Sequence, residues 1–567
     1  MKNLKVQFKL IICVLLFLNT FNILIAKNKD DFHNAKDVTD YFSGILAIND
    51  NQYQKSHQYL RSLNNLEDNH YNYSQYYLYS LVALNKFKEA ANYSIKLEKK
   101  KIDSFESNLV SAVYYLGRKD FDKALVNFKN LKNKNQTEIR NLISASLNSW
   151  VNFKNTNNLN IALSQLEDIP KKFENLKEIQ KAFAYCHFNS NQTDEVFKKL
   201  TSRSEINYSR YIFFHANYLV SKNKVEKAKI ILQSSLNLYP KNLILNQLKI
   251  DLEQNFSFTN QFDCKNSTHV VAEILYIVAN GLAAQENYVG SNFYLNLAKY
   301  LNPNFISFES LHAENYYIIN KYNKAKKIYD EMQKSGSIYS WHASKQIASI
   351  LINQEKKEKA IKFLEKTFQK IKNPTTNEIF DYAKFLKNNE KYKESIKYYS
   401  EIINVIDKDH HLYGQILDGR GVAYERTNQW NKAEKDLLNS LSVAPDDAYV
   451  LNYLAYSWIE KGVNIEKSLK MLNKANTLRP NDGYIIDSLG WALFKLKNYK
   501  EAKKYLQLAV RYMASDPVIN DHYADSLWMN NKSLQARYYW NYVLKLEKTD
   551  EDLKEKIKHK LLYGLKI

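Results

Sequence analysis

The sequence is poor in the residues that interrupt helices. Its 567 residues include only 12 glycines and 7 prolines, the two residue types that most often end helices and form turns. After the first 26 residues, apolar side chains recur mostly at helical spacing and seldom in runs. These scarcities argue against a turn-rich fold and predict an all-α protein.

Arginine is also scarce, and this bears on the net charge of +21. Sequence-specific nucleic-acid binding relies on arginine for bidentate contacts, and the chain has only ten, about one for every seven lysines. Lysine, asparagine, isoleucine and tyrosine share A/T-rich codons, so codon bias explains the charge. We expect no nucleic-acid partner, although a basic helical-repeat RNA-binding protein remains the alternative.

The motifs of common catalytic sites are missing. The sequence has no GxxxxGK[ST] phosphate loop, HExxH zinc helix, CxxC pair or GxSxG nucleophile turn. The twelve histidines are scattered. The sequence therefore predicts a protein that is not an enzyme, with no cofactor, metal site or small-molecule substrate.

Only three cysteines occur, at Cys13, Cys186 and Cys264. Cys13 lies in an apolar run that does not resemble a lipid-acceptor site. Cys186 and Cys264 could pair in an oxidising compartment, or both could be small core residues. A disulfide needs Cα atoms within about 7 Å, and their separation in the repeat pattern favours the core interpretation.

Residues 1–26 have the layout of a signal peptide. Lys2, Lys5 and Lys9 precede the apolar run Leu10–Leu18, and Ala26 is followed by a polar stretch. This predicts export to the periplasm with cleavage after Ala26. The alternative is an uncleaved N-terminal membrane anchor facing the periplasm.

The remainder is organised around a repeat that is clearest in Asp487–Val510. Gly490 and Ala502, twelve residues apart, mark two amphipathic helices that cross closely at small side chains. The same spacing recurs at Ala313/Ala325, Ala348/Ala360, Ala383/Ser395, Gly421/Ala433 and Ala524/Ala536, and at thirteen residues in Ala455/Ser468. The first-helix position steps by 34 or 35 residues from Gly421 to Ala524.

This pattern resembles the tetratricopeptide repeat family, in which a proline often closes the second helix, as at Pro240, Pro303, Pro445 and Pro480. The resemblance implies a right-handed superhelical solenoid of about fourteen helical hairpins. We expect an N-terminal degenerate array at 27–254, a junction at 255–268, a C-terminal array at 269–548 and a capping helix at 549–567.

The resemblance also implies a partner site. In the family, first helices line a concave groove, and seven residues of three consecutive repeats fall on its ligand positions. These are Tyr449, Asn452, Tyr456, Asp487, Trp491, Asp525 and Trp528. Alternating aromatic and short polar groups suit a protein or extended peptide partner.

The C-terminal repeats resemble a narrower group, exported bacterial tetratricopeptide adaptors with a DSLGW block at Asp487–Trp491 and a second block at Asp516–His522. Some of these are lipoproteins that present envelope proteins to a protease, whereas this chain has no lipid-acceptor cysteine. We therefore expect a periplasmic scaffold or adaptor acting in envelope assembly or proteolysis, with peripheral envelope association. A structural scaffold with no groove ligand is the alternative.

Overall fold

A computed structural model describes residues 35–565, apart from 64–65, 69, 132–136, 154–157, 203–207 and 255–260. The predicted signal peptide and Cys13 lie outside these residues. The described parts form two compact units, the first ending at Ile350 and the second beginning at Leu351. They contain α-helices and short 3₁₀ turns but no strands.

The first unit is built from consecutive helical hairpins. Its helices are α1 Ala35–Asn49, α2 Tyr53–Arg61, α3 Tyr71–Ala83, α4 Phe87–Lys99, α5 Phe105–Gly117, α6 Phe121–Asn130, α7 Glu138–Asn152, α8 Leu159–Leu166, α9 Glu174–His187, α10 Thr193–Thr201, α11 Ser209–Ser221, α12 Val225–Leu238, α13 Leu243–Glu253, α14 Ser267–Ala284, α15 Tyr288–Leu301, α16 Ile306–Ile318, α17 Tyr322–Met332 and α18 Ser337–Asn353, in which this unit ends. Helix α13 stands alone between the sixth hairpin, formed by α11 and α12, and the next, formed by α14 and α15.

The second unit continues the same pattern. Its helices are α19 Lys357–Phe368, α20 Thr376–Asn388, α21 Tyr392–Ile403, α22 Tyr413–Arg426, α23 Trp430–Val443, α24 Ala448–Glu460, α25 Ile465–Leu478, α26 Gly483–Lys495, α27 Tyr499–Tyr512, α28 Pro517–Met529, α29 Ser533–Val543 and α30 Glu551–Tyr563. From α20 to α29 they pack as five hairpins, and α30 packs on α29. The all-α hairpin architecture predicted from the sequence is confirmed.

The predicted small positions lie where the two helices of a hairpin cross. In the second helices, the small residue is the fourth of its helix and is fully buried, as Ala502 and Ala536 show. In the first helices, Gly490 leaves no room for a side chain, because a Cβ there would lie 2.7 Å from Leu506 Cγ. Small side chains therefore set how closely each pair packs.

The turn inside each hairpin uses a left-handed residue. In most hairpins the residue two positions before the second helix has positive φ, as at Asn85, Asn428, Lys497 and Asn531. Asparagine tolerates this conformation better than most residues. The frequent asparagines of the chain therefore terminate first helices.

In the first unit, the hairpin of α14 and α15 covers the inner face of earlier repeats. Helix α14 packs on α7, and α15 packs on α3 and α5, all of which are first helices. Glu273 of α14 forms a doubly hydrogen-bonded ion pair with Arg210 of α11, with both N–O distances 2.6 Å. Phe293 of α15 stacks on Tyr79 of α3 with ring centroids 4.3 Å apart. The first-helix surface of this unit is therefore occupied by the chain itself.

Helix α14 is the one described helix long and apolar enough to cross a membrane, with a mean hydropathy of 1.3. Its side chains Val270, Val271 and Leu275 are fully buried in this packing. Its apolar character is therefore accounted for by the core of the first unit.

Cys186 and Cys264 form a disulfide, with Cα atoms 5.9 Å apart, so the expectation that they stay separate is wrong. The segment before α14 folds back onto α9, because Phe262 packs among Phe183 and Phe214 with centroids 5.1 and 4.2 Å away. His187 Nδ1 lies 3.1 Å from the Cys264 carbonyl oxygen. The spacing of the repeats does not predict that the segment before α14 packs back on α9.

The boundary between the compact units differs from the predicted junction at 255–268. Helix α14 begins at Ser267, inside that predicted segment, and belongs to the first unit. The limits of the two sub-arrays therefore stay a prediction.

Candidate functional site

The seven predicted groove residues lie on three consecutive first helices of the second unit. Helix α24 carries Tyr449, Asn452 and Tyr456, helix α26 carries Asp487 and Trp491, and helix α28 carries Asp525 and Trp528. Each of these helices packs on the next. The structure brings the seven residues together on neighbouring helices, but their side chains differ in exposure.

Trp491 is held on all sides by other residues. Its indole Nε1 donates to Glu460 Oε1 at 2.6 Å, and its ring stacks on Phe494 and His522 with centroids 4.8 and 3.9 Å away. The side chain is 9% exposed. Trp491 therefore acts mainly as core between two repeats.

Asp487 is buried and paired with His522, a partner that was not predicted from the sequence. His522 Nδ1 lies 3.0 Å from an Asp487 carboxylate oxygen, and both side chains are less than one-tenth exposed. Burial disfavours the imidazolium, but the Asp487 carboxylate outweighs it and raises the pKa of His522. Asp487 is therefore a buried, paired carboxylate rather than a free groove residue.

Asp525 is part of a buried ionic cluster with the terminal helix. Lys560 Nζ of α30 donates to Asp521 and Asp525 at 2.7 and 2.8 Å. Trp540 Nε1 donates to Asp525 at 3.0 Å. Burial and the charge of Asp521 raise the pKa of Asp525 to about 6. Lys560 is thus the cation that compensates two buried carboxylates.

Trp528 is also covered by the end of the chain. Its ring lies 5.3 Å from that of Trp540, centroid to centroid, and Arg537 lies over it at 5.6 Å. Gly564, with a φ of +76°, comes so close that a Cβ there would lie 2.3 Å from Trp528 Cζ2. The capping helix therefore continues into a segment that packs on Trp528.

Three predicted residues stay accessible. Tyr449 is 55% exposed, and Asn452 and Tyr456 are half-buried. Asn452 Oδ1 is a buried acceptor with no hydrogen-bond partner among the described residues. Burial and the charges of Glu460 and Asp487 raise the pKa of Tyr456, so its hydroxyl stays protonated. This part of the surface can stack on a ligand through the exposed ring of Tyr449.

The sequence interpretation missed Glu460, His522 and Lys560 as partners of the buried groups. His522 was visible within the block Asp516–His522, but its partner lies one repeat earlier. No group of three or more His, Cys, Asp or Glu side chains in the described ranges could hold a metal ion.

Residues 319–549 match the family model described as tetratricopeptide repeat. A TPR repeat-containing protein of Pseudomonas aeruginosa is 29% identical over 119 residues, which is 21% of this chain and 18% of that protein. The chain therefore spans less than a fifth of the curated relative that it matches.

Solved structures of repeat proteins align with part of the chain. A thermophilic TPR protein of Thermus thermophilus aligns with 33% of this chain and 100% of its own, at 15% identity and a TM-score of 0.29. MamA of Desulfovibrio magneticus aligns with 31% of this chain and 97% of its own, at 14% identity and a TM-score of 0.27.

The repeat period, the buried small positions and the family match over 319–549 agree with one another. Proteins of this architecture are generally non-enzymatic scaffolds for protein interaction. Residues 319–549 of the chain are tetratricopeptide repeats.

Proposed function

We propose that the chain is an exported, non-enzymatic scaffold that binds a protein or extended peptide partner through the first helices of its second unit. The observation that carries this proposal is the accessible group on α24, where Tyr449 is 55% exposed and Asn452 and Tyr456 are half-buried. An aromatic ring beside an amide group can stack on a ligand and hydrogen-bond to its backbone.

The location of the site follows from the difference between the two units. In the first unit, α14 and α15 pack on the first helices α3, α5 and α7, so these helices are less available to an extended ligand. In the second unit, Tyr449, Asn452 and Tyr456 stay accessible on α24.

Export is supported by two independent features. Residues 1–26 have the signal-peptide layout, and the Cys186–Cys264 disulfide suits an oxidising compartment. Together they favour the periplasm and a role in envelope assembly or proteolysis over the RNA-binding alternative.

The proposal is tested by capture of partners from an envelope extract with the full chain and with Asn452→Ala. We expect Asn452→Ala to reduce capture about tenfold or more while the thermal unfolding curve is unchanged. Truncating Trp491 is a poor test, because removing this buried ring costs about 3–5 kcal/mol of stability.

Asn476→Ala is the matched control, since Asn476 Oδ1 is also a buried acceptor without a hydrogen bond but lies on a second helix. It should leave capture intact. If Asn452→Ala captures the same proteins in the same amounts, the groove is not the partner site.

A further inference from the structure

An exposed apolar strip runs along the edge of the second unit, where each hairpin meets the next. Three consecutive junctions each place one apolar side chain at the end of the second helix, one in the turn and one at the start of the next first helix. The strip consists of Val443, Pro445 and Tyr449, then Leu478, Pro480 and Tyr484, then Tyr512, Ala514 and Val518.

The strip is large for a surface without a function. Tyr449, Tyr484 and Tyr512 are 55, 53 and 46% exposed, and half of a tyrosine side chain is about 100 Å². The three tyrosines alone thus expose about 300 Å², the size at which apolar patches mark interaction sites. A stable interface needs about 800 Å² on each partner, so the strip supplies a large part of one.

The three junctions touch one another. Arg479 of the second junction lies over the Tyr449 ring of the first at 5.6 Å. The hydroxyl of Tyr512 donates to Asn481 Oδ1 of the second junction at 2.9 Å, and Asp516 of the third interacts with the Tyr484 hydroxyl. The apolar groups therefore form one continuous surface, and each of the three junctions is one rung of the strip.

The spacing of the rungs decides what fits. Neighbouring first helices pack directly, so successive rungs lie about 10 Å apart. An extended strand advances about 10 Å in three residues, but side chains three apart point to opposite faces. Seven residues of an α-helix advance about 10.5 Å and return to nearly the same face. A helix with apolar residues at every seventh position therefore matches all three rungs.

The charges beside the strip indicate an acidic partner. Asp447, Asp482 and Asp516 accept hydrogen bonds from the first N–H groups of their own helices. Asp446, which is 70% exposed, forms an ion pair with Lys474, with Nζ and Oδ1 2.6 Å apart. Arg479 and Arg511 are exposed. A bilayer surface is disfavoured, since binding to anionic lipid typically uses clusters of four to eight basic residues.

We propose that this strip binds an acidic amphipathic helix of a protein partner, with apolar residues recurring every seven positions. The inference rests on the proposed scaffold function but uses a surface separate from Asn452. The strip shares Tyr449 with the predicted groove and adds Tyr484 and Tyr512, which the groove did not include.

The test uses the full chain and a labelled 18-residue synthetic helix rich in alanine and glutamate, with leucine at positions 2, 9 and 16. Its control has the same composition with leucine at positions 2, 7 and 12, which spreads the leucines around the helix. Fluorescence anisotropy should show the first peptide binding at least tenfold more tightly. Tyr484→Ser and Tyr512→Ser should each weaken it about tenfold with unchanged circular dichroism, whereas Leu534→Ser, at a residue 82% exposed on α29, should not.

Equal binding of the two peptides, no binding, or binding unaffected by both tyrosine variants overturns the inference. So does co-sedimentation with phosphatidylglycerol vesicles that Tyr484→Ser abolishes, because the strip would then be a lipid surface. Asn452→Ala should leave peptide binding intact. If the strip does not bind the peptide, the groove proposal is unaffected. If Asn452→Ala does not reduce partner capture, the strip proposal is likewise unaffected.

Discussion

Lys560 Nζ on the terminal helix lies 2.8 Å from both carboxylate oxygens of Asp525 on the last first helix. The contact joins residues 35 positions apart and closes the open end of the array. Apolar packing of Ile557, Leu553 and Leu561 surrounds it. The predicted capping role of this helix thus combines an apolar stripe with a buried ion pair.

Replacing Lys560 by methionine should destabilise the second unit. The change leaves Asp521 and Asp525 buried without their cation, and breaking a buried pair in this way costs about 3–5 kcal/mol. Urea unfolding followed by tryptophan fluorescence measures the loss. Lys558→Met is the control, because Lys558 pairs with Glu555 at an exposed site and such pairs contribute less than about 1 kcal/mol. Equal effects of the two variants would contradict the assigned role of Lys560.

The second unit should be more stable at pH 5 than at pH 8. Burial and the charge of Asp521 raise the pKa of Asp525 to about 6, above the value of about 3.9 for an unfolded aspartate. The folded state therefore holds an extra proton in this window, and stability is lost as the pH rises through 6. The raised pKa of His522 beside Asp487 acts in the same direction. The free energies of unfolding from urea titrations at the two pH values should differ by about 2 kcal/mol, and Asp525→Asn should reduce the difference.

Lys497→Gly should stabilise the hairpin of α26 and α27. Lys497 has a φ of +61°, a left-handed conformation that costs a residue with a Cβ about 1–2 kcal/mol. Glycine removes this cost but is more flexible when unfolded, so we expect a net gain of about 0.5–1 kcal/mol in thermal unfolding. Lys500→Gly, inside α27, should instead lose about 1 kcal/mol. A loss at both positions would show that the turn is not strained.

Gly490→Leu should force apart α26 and α27. The new Cβ would lie 2.7 Å from Leu506 Cγ and 3.1 Å from the Leu506 backbone nitrogen, and such overpacking costs about 1–3 kcal/mol. Calorimetry compares this variant with Gly414→Ala, whose Cβ would meet no atom closer than 3.8 Å. If the Gly490→Leu protein is as stable as the parent, α26 and α27 do not cross closely at Gly490.

Thiol counting tests the disulfide and the leader together. Under denaturing, non-reducing conditions, Cys186 and Cys264 should not react with a maleimide, and both should react after reduction. One reactive thiol before reduction would come from Cys13 and would show that residues 1–26 are retained. Cys264→Ser should cost about 3–4 kcal/mol, because the bridge closes a loop spanning 78 positions.

Local features of the fold follow from the sequence, and long-range contacts do not. Gly490 and Ala502 were identified as a crossing because hairpin packing repeats at a fixed spacing, and asparagine-rich turns follow the same period. The partners of Asp487, Asp525 and Cys186 lie 35, 35 and 78 positions away. Periodicity does not specify such pairs. Asp487 and Trp491 were assigned to a ligand because the sequence did not reveal His522 and Glu460 as their neighbours.

Asn292 Nδ2 on α15 meets Asn51 Oδ1, in the turn of the first hairpin, at 3.4 Å across 241 positions. This contact depends on the number of repeats between the two residues, because adding or removing a whole hairpin there would separate α15 from the first hairpin. The second unit has no comparable return contact among its described residues, and repeats in such an array depend only on their neighbours. Duplication or deletion of whole repeats is therefore tolerated more easily after Leu351 than between Asn51 and Asn292, where it would break this contact.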